Sequence, residues 1–300
     1  MRDSIASLRH KINSAQDLQS VVRSMKTIAS SSIGQYEKAV HSLDDYYQTV
    51  QLGLVACLSA SNQRIKSSLD LPPVAINSSL KKPPAIGVIV FGSDQGLVGQ
   101  FNEVMVEFLV ESLANLPAEK IVWAVGERIE SRLLDTKLKT GKSFVLPSSI
   151  NTITELVGKV LNEVEAQRES GAIDKVYLFY HRPELGSIYR PVSHQLLPLD
   201  AIWENHLADT EWPTNNLAEV MPEQDQTLRA FVREYLFVSL FRACAESLAS
   251  ENASRLAAMQ RAEKNIDELK EELNRTFHSL RQSGIDAELF DVISGFEILN

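Results

Sequence analysis

The chain has 300 residues, a mass of 33.4 kDa, 44% hydrophobic residues and a net charge of −9, the make-up of an ordinary globular protein long enough for two domains. No run of apolar residues is long enough to span a membrane, and Met1, Arg2 and Asp3 lead into an amphipathic pattern with no apolar core of a secretory leader. No basic patch interleaved with aromatics is present either, which argues against nucleic acid as a partner.

Residues 1–66 read as one long helix. Ile5, Leu8, Ile12, Ala15, Leu18, Val22, Met25, Ala29, Ile33, Tyr36, Val40, Leu43, Tyr47, Val50 and Leu54 recur at an average of about 3.5 residues, the period of a left-handed coiled coil. Basic residues (Arg2, Arg9, Lys11, Arg23, Lys26, Lys38, Arg64, Lys66) outnumber acidic ones (Asp3, Asp17, Glu37, Asp44, Asp45), so this helix is mildly positive. Residues 67–84, with Pro72, Pro73, Pro83, Pro84 and several serines, read as a linker or disordered loop.

An α/β domain is expected over 85–205. Residues 85–91 (AIGVIVF) form a short apolar run of the buried-strand type, followed by a glycine-rich turn at 92–102 and an amphipathic helix to residue 116. Strands at 121–125, 175–180 and 189–199, a candidate strand at 143–146, and helices at 127–135 and 152–167 follow. Such alternation predicts a largely parallel, Rossmann-like sheet. Residues 206–221 are irregular and lead into the last segment, 222–300.

From Pro222 to Gly284 no proline or glycine intervenes, so nothing in about 60 residues tells a helix to stop, a rod of ~90 Å. Its first half (Tyr235, Leu236, Phe237, Val238, Leu240, Phe241, Ala243, Cys244, Ala245, Leu248) is apolar on more than one face and should be packed from two sides. Its second half keeps a narrow seam of Leu256, Met259, Ile266, Leu273, Phe277 and Leu280, interrupted by Glu263 and Lys270. With Asp267, Glu268, Glu271 and Glu272 nearby it is acidic, opposite in sign to the first helix. Two long helices thus bracket the chain, and an antiparallel pair is favoured if the intervening domain has its ends close together. Cys57 and Cys244 sit among apolar neighbours and read as buried reduced thiols.

Little in the chain points to catalysis. Gly92, Gly96 and Gly99 lie where open α/β folds bind phosphate, but give neither GxGxxG nor GxxxxGK[ST], and no phosphate-binding lysine follows. The six histidines are scattered singly, no HExxH or GxSxG occurs, and the carboxylates cluster on helix faces. Two readings stay open beside a working coiled coil: a nucleotide-binding α/β enzyme with helical arms, and a coiled-coil structural adaptor.

Several motifs resemble the gamma subunit of F-type ATP synthases. Residues 247–259 (SLASENASRLAAM) are similar to that family's SExAxRxxAM run, 285–295 (IDAELFDVISG) to its closing ITxExxEIxxGA, and 93–102 (SDQGLVGQFN) to its SDRGLCGGFN. Residues 25–30 (MKTIAS), 174–177 (DKVY) and 195–199 (QLLPL) match further segments, all in family order. The resemblance implies a non-catalytic subunit with no cofactor or metal of its own. Its coiled coil would stand in a ring of alternating alpha and beta subunits, and its α/β domain would contact epsilon and the membrane c-ring. Ion flow would then turn the shaft past the catalytic beta sites, in a complex peripheral to the cytoplasmic face of a bacterial or archaeal membrane. It places Met25, Lys26, Arg255, Gln282 and Glu288 at contacts with the alpha/beta ring. The chain departs from the family at Ser30, Ser31 and Ser32, where a basic run is usual, at Asp286 in place of threonine, and in its end, 295–300 (GFEILN). These departures suggest a diverged shaft of an alternative complex, coupled to H⁺ or Na⁺.

Overall fold

A computed structural model describes residues 4–60, 85–184, 187–198, 212–214, 216, 220 and 224–298. The linker expected at 67–84 and most of the irregular stretch at 206–221 lie outside them. Among the described residues ten elements follow in order: α1 (Ile5–Ala60), β1 (Ala85–Phe91), α2 (Phe101–Ala114), β2 (Lys120–Val125), α3 (Glu127–Leu133), β3 (Lys139–Phe144), α4 (Ile150–Glu169), β4 (Ile173–Glu184), β5 (Ser187–Leu197) and α5 (Gln224–Ile298). The chain divides into two compact units, Met1–Ser30 with Arg255–Asn300, and Ser31–Ser254.

The larger unit is built on a five-stranded sheet of order β3-β2-β1-β4-β5. The first four strands run parallel, and β5 folds back antiparallel on β4. β1 is buried along its whole length, as its unbroken apolar run predicts for a strand covered on both faces. Side-chain alternation divides it between two cores. Ala85, Ile89 and Phe91 pack with Trp123, α4, α1 and α5, whereas Ile86, Val88 and Val90 pack with Met105, Leu109 and Ile129 of α2 and α3. The stretch of α5 that is apolar all round lies in the first core. Tyr235, Leu236, Leu240, Ala243, Cys244 and Leu248 are buried there, with the rings of Tyr47 and Tyr235 6.0 Å apart. Both cysteines are free and buried, and burial pushes both thiols above their ordinary pKa.

Three expectations shift. β3 occupies 139–144 rather than 143–146, because its sequence, KTGKSF, is that of a polar edge strand and carries no apolar alternation to read. β4 runs on to Glu184 because β5 pairs with its polar end, Arg182 opposite Arg190. α5 passes through Gly284 to Ile298. A glycine inside a helix costs only about 1 kcal/mol relative to alanine, and good helix formers such as Ala287, Glu288 and Leu289 offset it.

The smaller unit is an antiparallel pair: Lys26 of α1 meets Glu263 of α5, and Gln19 meets Lys270, so numbers rise on one helix as they fall on the other.

Candidate partner interface

The seam of this pair is not the one that apolar spacing alone selects. Leu8, Ala15 and Ala29 are buried at heptad spacing, as expected, but the second seam position is held by Gln19, buried, and Lys26, half-buried. Leu18, assigned to the seam from sequence, is 58% exposed, Ile5 is also exposed, and Met25 is half-buried. The cause lies further along the helix. Ile12, Ile33, Val40, Tyr47 and Leu54 share one heptad position with Gln19 and Lys26, and turning those apolar residues inward, Leu54 fully and the others in part, carries the two polar ones with them. Leu18, Val21 and Ile28 are then left facing outward as an apolar stripe.

Each of these two polar residues is met by one that interrupts the facing seam. Lys26 Nζ donates to Glu263 Oε2 at 2.7 Å, and Arg23 Nε donates to Oε1 of the same carboxylate at 2.8 Å. Two turns further, Lys270 Nζ donates to Gln19 Oε1 at 2.8 Å, and Gln19 Nε2 donates to Asp267. The hydrogen bond from Lys26, then that from Arg23, holds the Glu263 carboxyl below the usual glutamate range. The sequence carried the signal as Glu263 and Lys270 breaking the α5 seam. What it lacked was the register that sets them opposite Lys26 and Gln19.

Of the residues that the resemblance assigned to the ring, Lys26 is drawn into this ion pair and Arg255 lies half-buried two helical turns before Glu263. Gln282 and Glu288 are exposed on the last stretch of α5, where Ile285, Leu289, Phe290, Val292 and Ile293 are exposed as well. The unit therefore offers two uncovered apolar surfaces flanked by charge, the composition of a surface that meets another protein.

The glycine-rich turn of the larger unit is tied to its neighbours by the protein's own side chains. Asp94 Oδ1 accepts from the backbone N–H of Glu127 at 2.9 Å, placing a carboxylate at the start of α3, and Oδ2 accepts from Leu146 N–H at 3.0 Å. Asn102 accepts from Ser93 N–H and donates to Ser93 Oγ, pinning the turn to the start of α2. Gly126 has φ 120° and lies so close to the turn that a Cβ would come within 2.8 Å of Ser93 O. The backbone donors of Ser93, Glu127 and Leu146 are thus engaged internally. Among the described residues no three potential metal ligands converge, and no helix is long and apolar enough to cross a membrane.

A family model described as ATP synthase matches residues 4–299. The chain belongs to the ATP synthase gamma-chain family. Among curated members, the ATP synthase gamma chain of Polynucleobacter necessarius subsp. necessarius (strain STIR1) is 26% identical over 293 residues, and alignment covers 96% of each chain. That of Haemophilus influenzae (strain PittGG) is 25% identical over 300 residues, again with 96% coverage of each. In fold the gamma chain is similar to a chain of the Euglena gracilis mitochondrial ATP synthase (OSCP/F1/c-ring, rotational state 3), with TM-score 0.65, 16% identity, and 98% and 94% of the two chains covered. It is also similar to one from the Tetrahymena thermophila mitochondrial ATP synthase central stalk and c-ring, with TM-score 0.54, 23% identity, and 81% and 99% covered. As a gamma chain it is the central stalk subunit, mixed α/β with long terminal helices.

Proposed function

We propose that this central stalk couples ion flow through a membrane sector to ATP synthesis or hydrolysis by rotating inside a ring of alternating alpha and beta subunits, with catalysis on beta. The observation that carries the reading is the asymmetry of the helical pair: the stripe of Leu18, Val21 and Ile28 on one helix, and the exposed apolar end of the other. A shaft alike on all sides would bias no site. One whose faces differ acts as a ligand with a different contact free energy toward each subunit it faces, and turning it moves each site through its states in sequence. In this reading Met25, Lys26, Arg255, Gln282 and Glu288 touch the ring. The sheet-bearing unit meets epsilon and the c-ring, and the complex lies at the cytoplasmic face of the membrane.

The test is ATP hydrolysis by alpha and beta subunits of the same operon, co-expressed with and without this chain. Sustained turnover and a complex holding one copy of the chain only when it is present support the reading. Equal assembly and turnover without it would leave a coiled-coil adaptor.

A further inference from the structure

Glu246 lies on α5 within the larger unit, its side chain only 6% exposed, with each carboxylate oxygen engaged by a different arginine. Arg182 Nε of β4 donates to Oε2 at 2.9 Å, and Arg242 Nε, one turn back on α5, donates to Oε1 at 2.8 Å. Arg242 also donates through Nη1 to Asp44 Oδ1 of α1 at 3.1 Å. Arg182 also donates through Nη2 to the Tyr180 hydroxyl at 2.6 Å, with His194 Nε2 of β5 3.4 Å from the same nitrogen. Burial and then the Glu246 charge push the Tyr180 phenol up to about 12, so it stays a neutral acceptor for Arg182. One buried carboxylate therefore joins the long helix to the sheet and, through Arg242, to α1.

Around this cluster α5 meets its neighbours through apolar and small side chains, among them Ala243, Cys244, Ala245, Leu248 and Ala249, and through one neutral hydrogen bond, Ser250 Oγ donating to the His181 carbonyl at 3.2 Å. Such packing resists separation, but the hydrophobic effect behind it is non-directional and fixes the rotation of a helix about its axis less sharply than a directional bond does. Hydrogen bonds to fixed guanidinium planes are directional and do oppose it. Stability alone is a poor reason for the cluster, because a buried ion pair gains little over well-packed apolar residues of the same volume.

We propose that Glu246, gripped by Arg182 and Arg242, is a torsional lock: it makes the sheet and the long helix turn as one body, so that torque entering at the sheet passes into α5. This rests on the central-stalk reading and assigns Glu246 as a positioning residue for coupling.

The test compares assembled complexes carrying the parent chain, Glu246→Gln, and the triple variant Arg182→Met, Glu246→Leu and Arg242→Met, which restores packing without directional bonds. Three quantities are read: the Tm of the complex, ATP hydrolysis without an opposing gradient, and ions pumped per ATP against a gradient. The triple variant should keep its Tm and its unloaded hydrolysis within about twofold, while ions pumped per ATP fall roughly threefold or more. Pumping equal to the parent's at unchanged Tm would overturn the lock, as would a coupling loss that only follows loss of Tm. If the triple variant does not assemble, Glu246→Gln decides by the same ratio. Hydrolysis that does not depend on the chain at all would fail the stalk reading instead, an outcome visible before any variant is compared.

Discussion

Nε2 of His181 lies 2.8 Å from the carbonyl oxygen of Phe101, and because a carbonyl only accepts, the ring proton belongs on that nitrogen. The ring is fully buried against Phe101 and Tyr189, at centroid distances of 4.2 and 4.4 Å, and burial lowers its pKa to about 4. The unfolded chain titrates this histidine near ~6.5 and so binds more protons between that pH and about 4. The stability it contributes is therefore present above ~6.5 and lost as pH falls through about 4. His181→Gln keeps a donor for Phe101 and does not titrate. Its Tm should change less with pH over this window than the parent's, and parallel curves would exclude His181 as the source. In the proposed reading Arg255 touches the ring, where one charge would favour one rotational state. Arg255→Glu should lower ATP turnover of the assembled complex roughly tenfold, about 1.4 kcal/mol of coupling, with the isolated chain still folded by circular dichroism. Unchanged turnover would remove Arg255 from the interface.

At the scale of the element, α1 carries two competing apolar stripes over the same turns. The one containing Leu18, Val21 and Ile28 is more apolar locally, but the one containing Gln19 and Lys26 is continuous with the rest of the helix, and continuity decides. The polar layers that result narrow the choice of register, since Gln19 and Lys26 are satisfied only opposite Lys270 and Glu263. Gln19→Leu with Lys270→Leu should raise the Tm of the isolated chain while broadening the distance distribution between spin labels on the two helices. A distribution as narrow as the parent's would show that the polar layer does not set register. The Glu263 layer has its own pH window. Its carboxyl is held below the ordinary glutamate value, so its contribution is full above that value and is lost as pH falls through the lowered one.

For the whole molecule, the two units differ in what holds them. The larger has two apolar cores around a sheet, with Trp123, Phe91 and Phe179 fully buried, whereas the smaller has a single seam crossed by charged residues. A fully buried large apolar side chain contributes about 1.5–3 kcal/mol, and a partly exposed ion pair ~0–1 kcal/mol. Heating the isolated chain should therefore remove helical circular dichroism in a first step that leaves the near-ultraviolet signal of buried Trp123 intact. A single transition seen alike by both probes would show that the units melt together. Opposite charge on the terminal helices adds to their pairing but is too weak to choose their register.

Apolar periodicity, strand runs bounded by glycine and proline, and the signs of the charged helices were determined by sequence alone, because each depends on residues near one another in the chain. They sufficed for two long helices around a mostly parallel sheet, and the ordered motifs sufficed for the family. Tertiary structure alone decided the facts that depend on distant residues: which α1 stripe is buried, which partners Glu263 and Lys270 find where they interrupt a seam, and how Asp94 ties the glycine-rich turn to the start of α3. The same holds for Glu246. Its partners Arg182 and Arg242 lie 64 and 4 residues away along the chain, and only the first pairing is hidden, because helical spacing shows the second and no local pattern shows which strand the helix crosses.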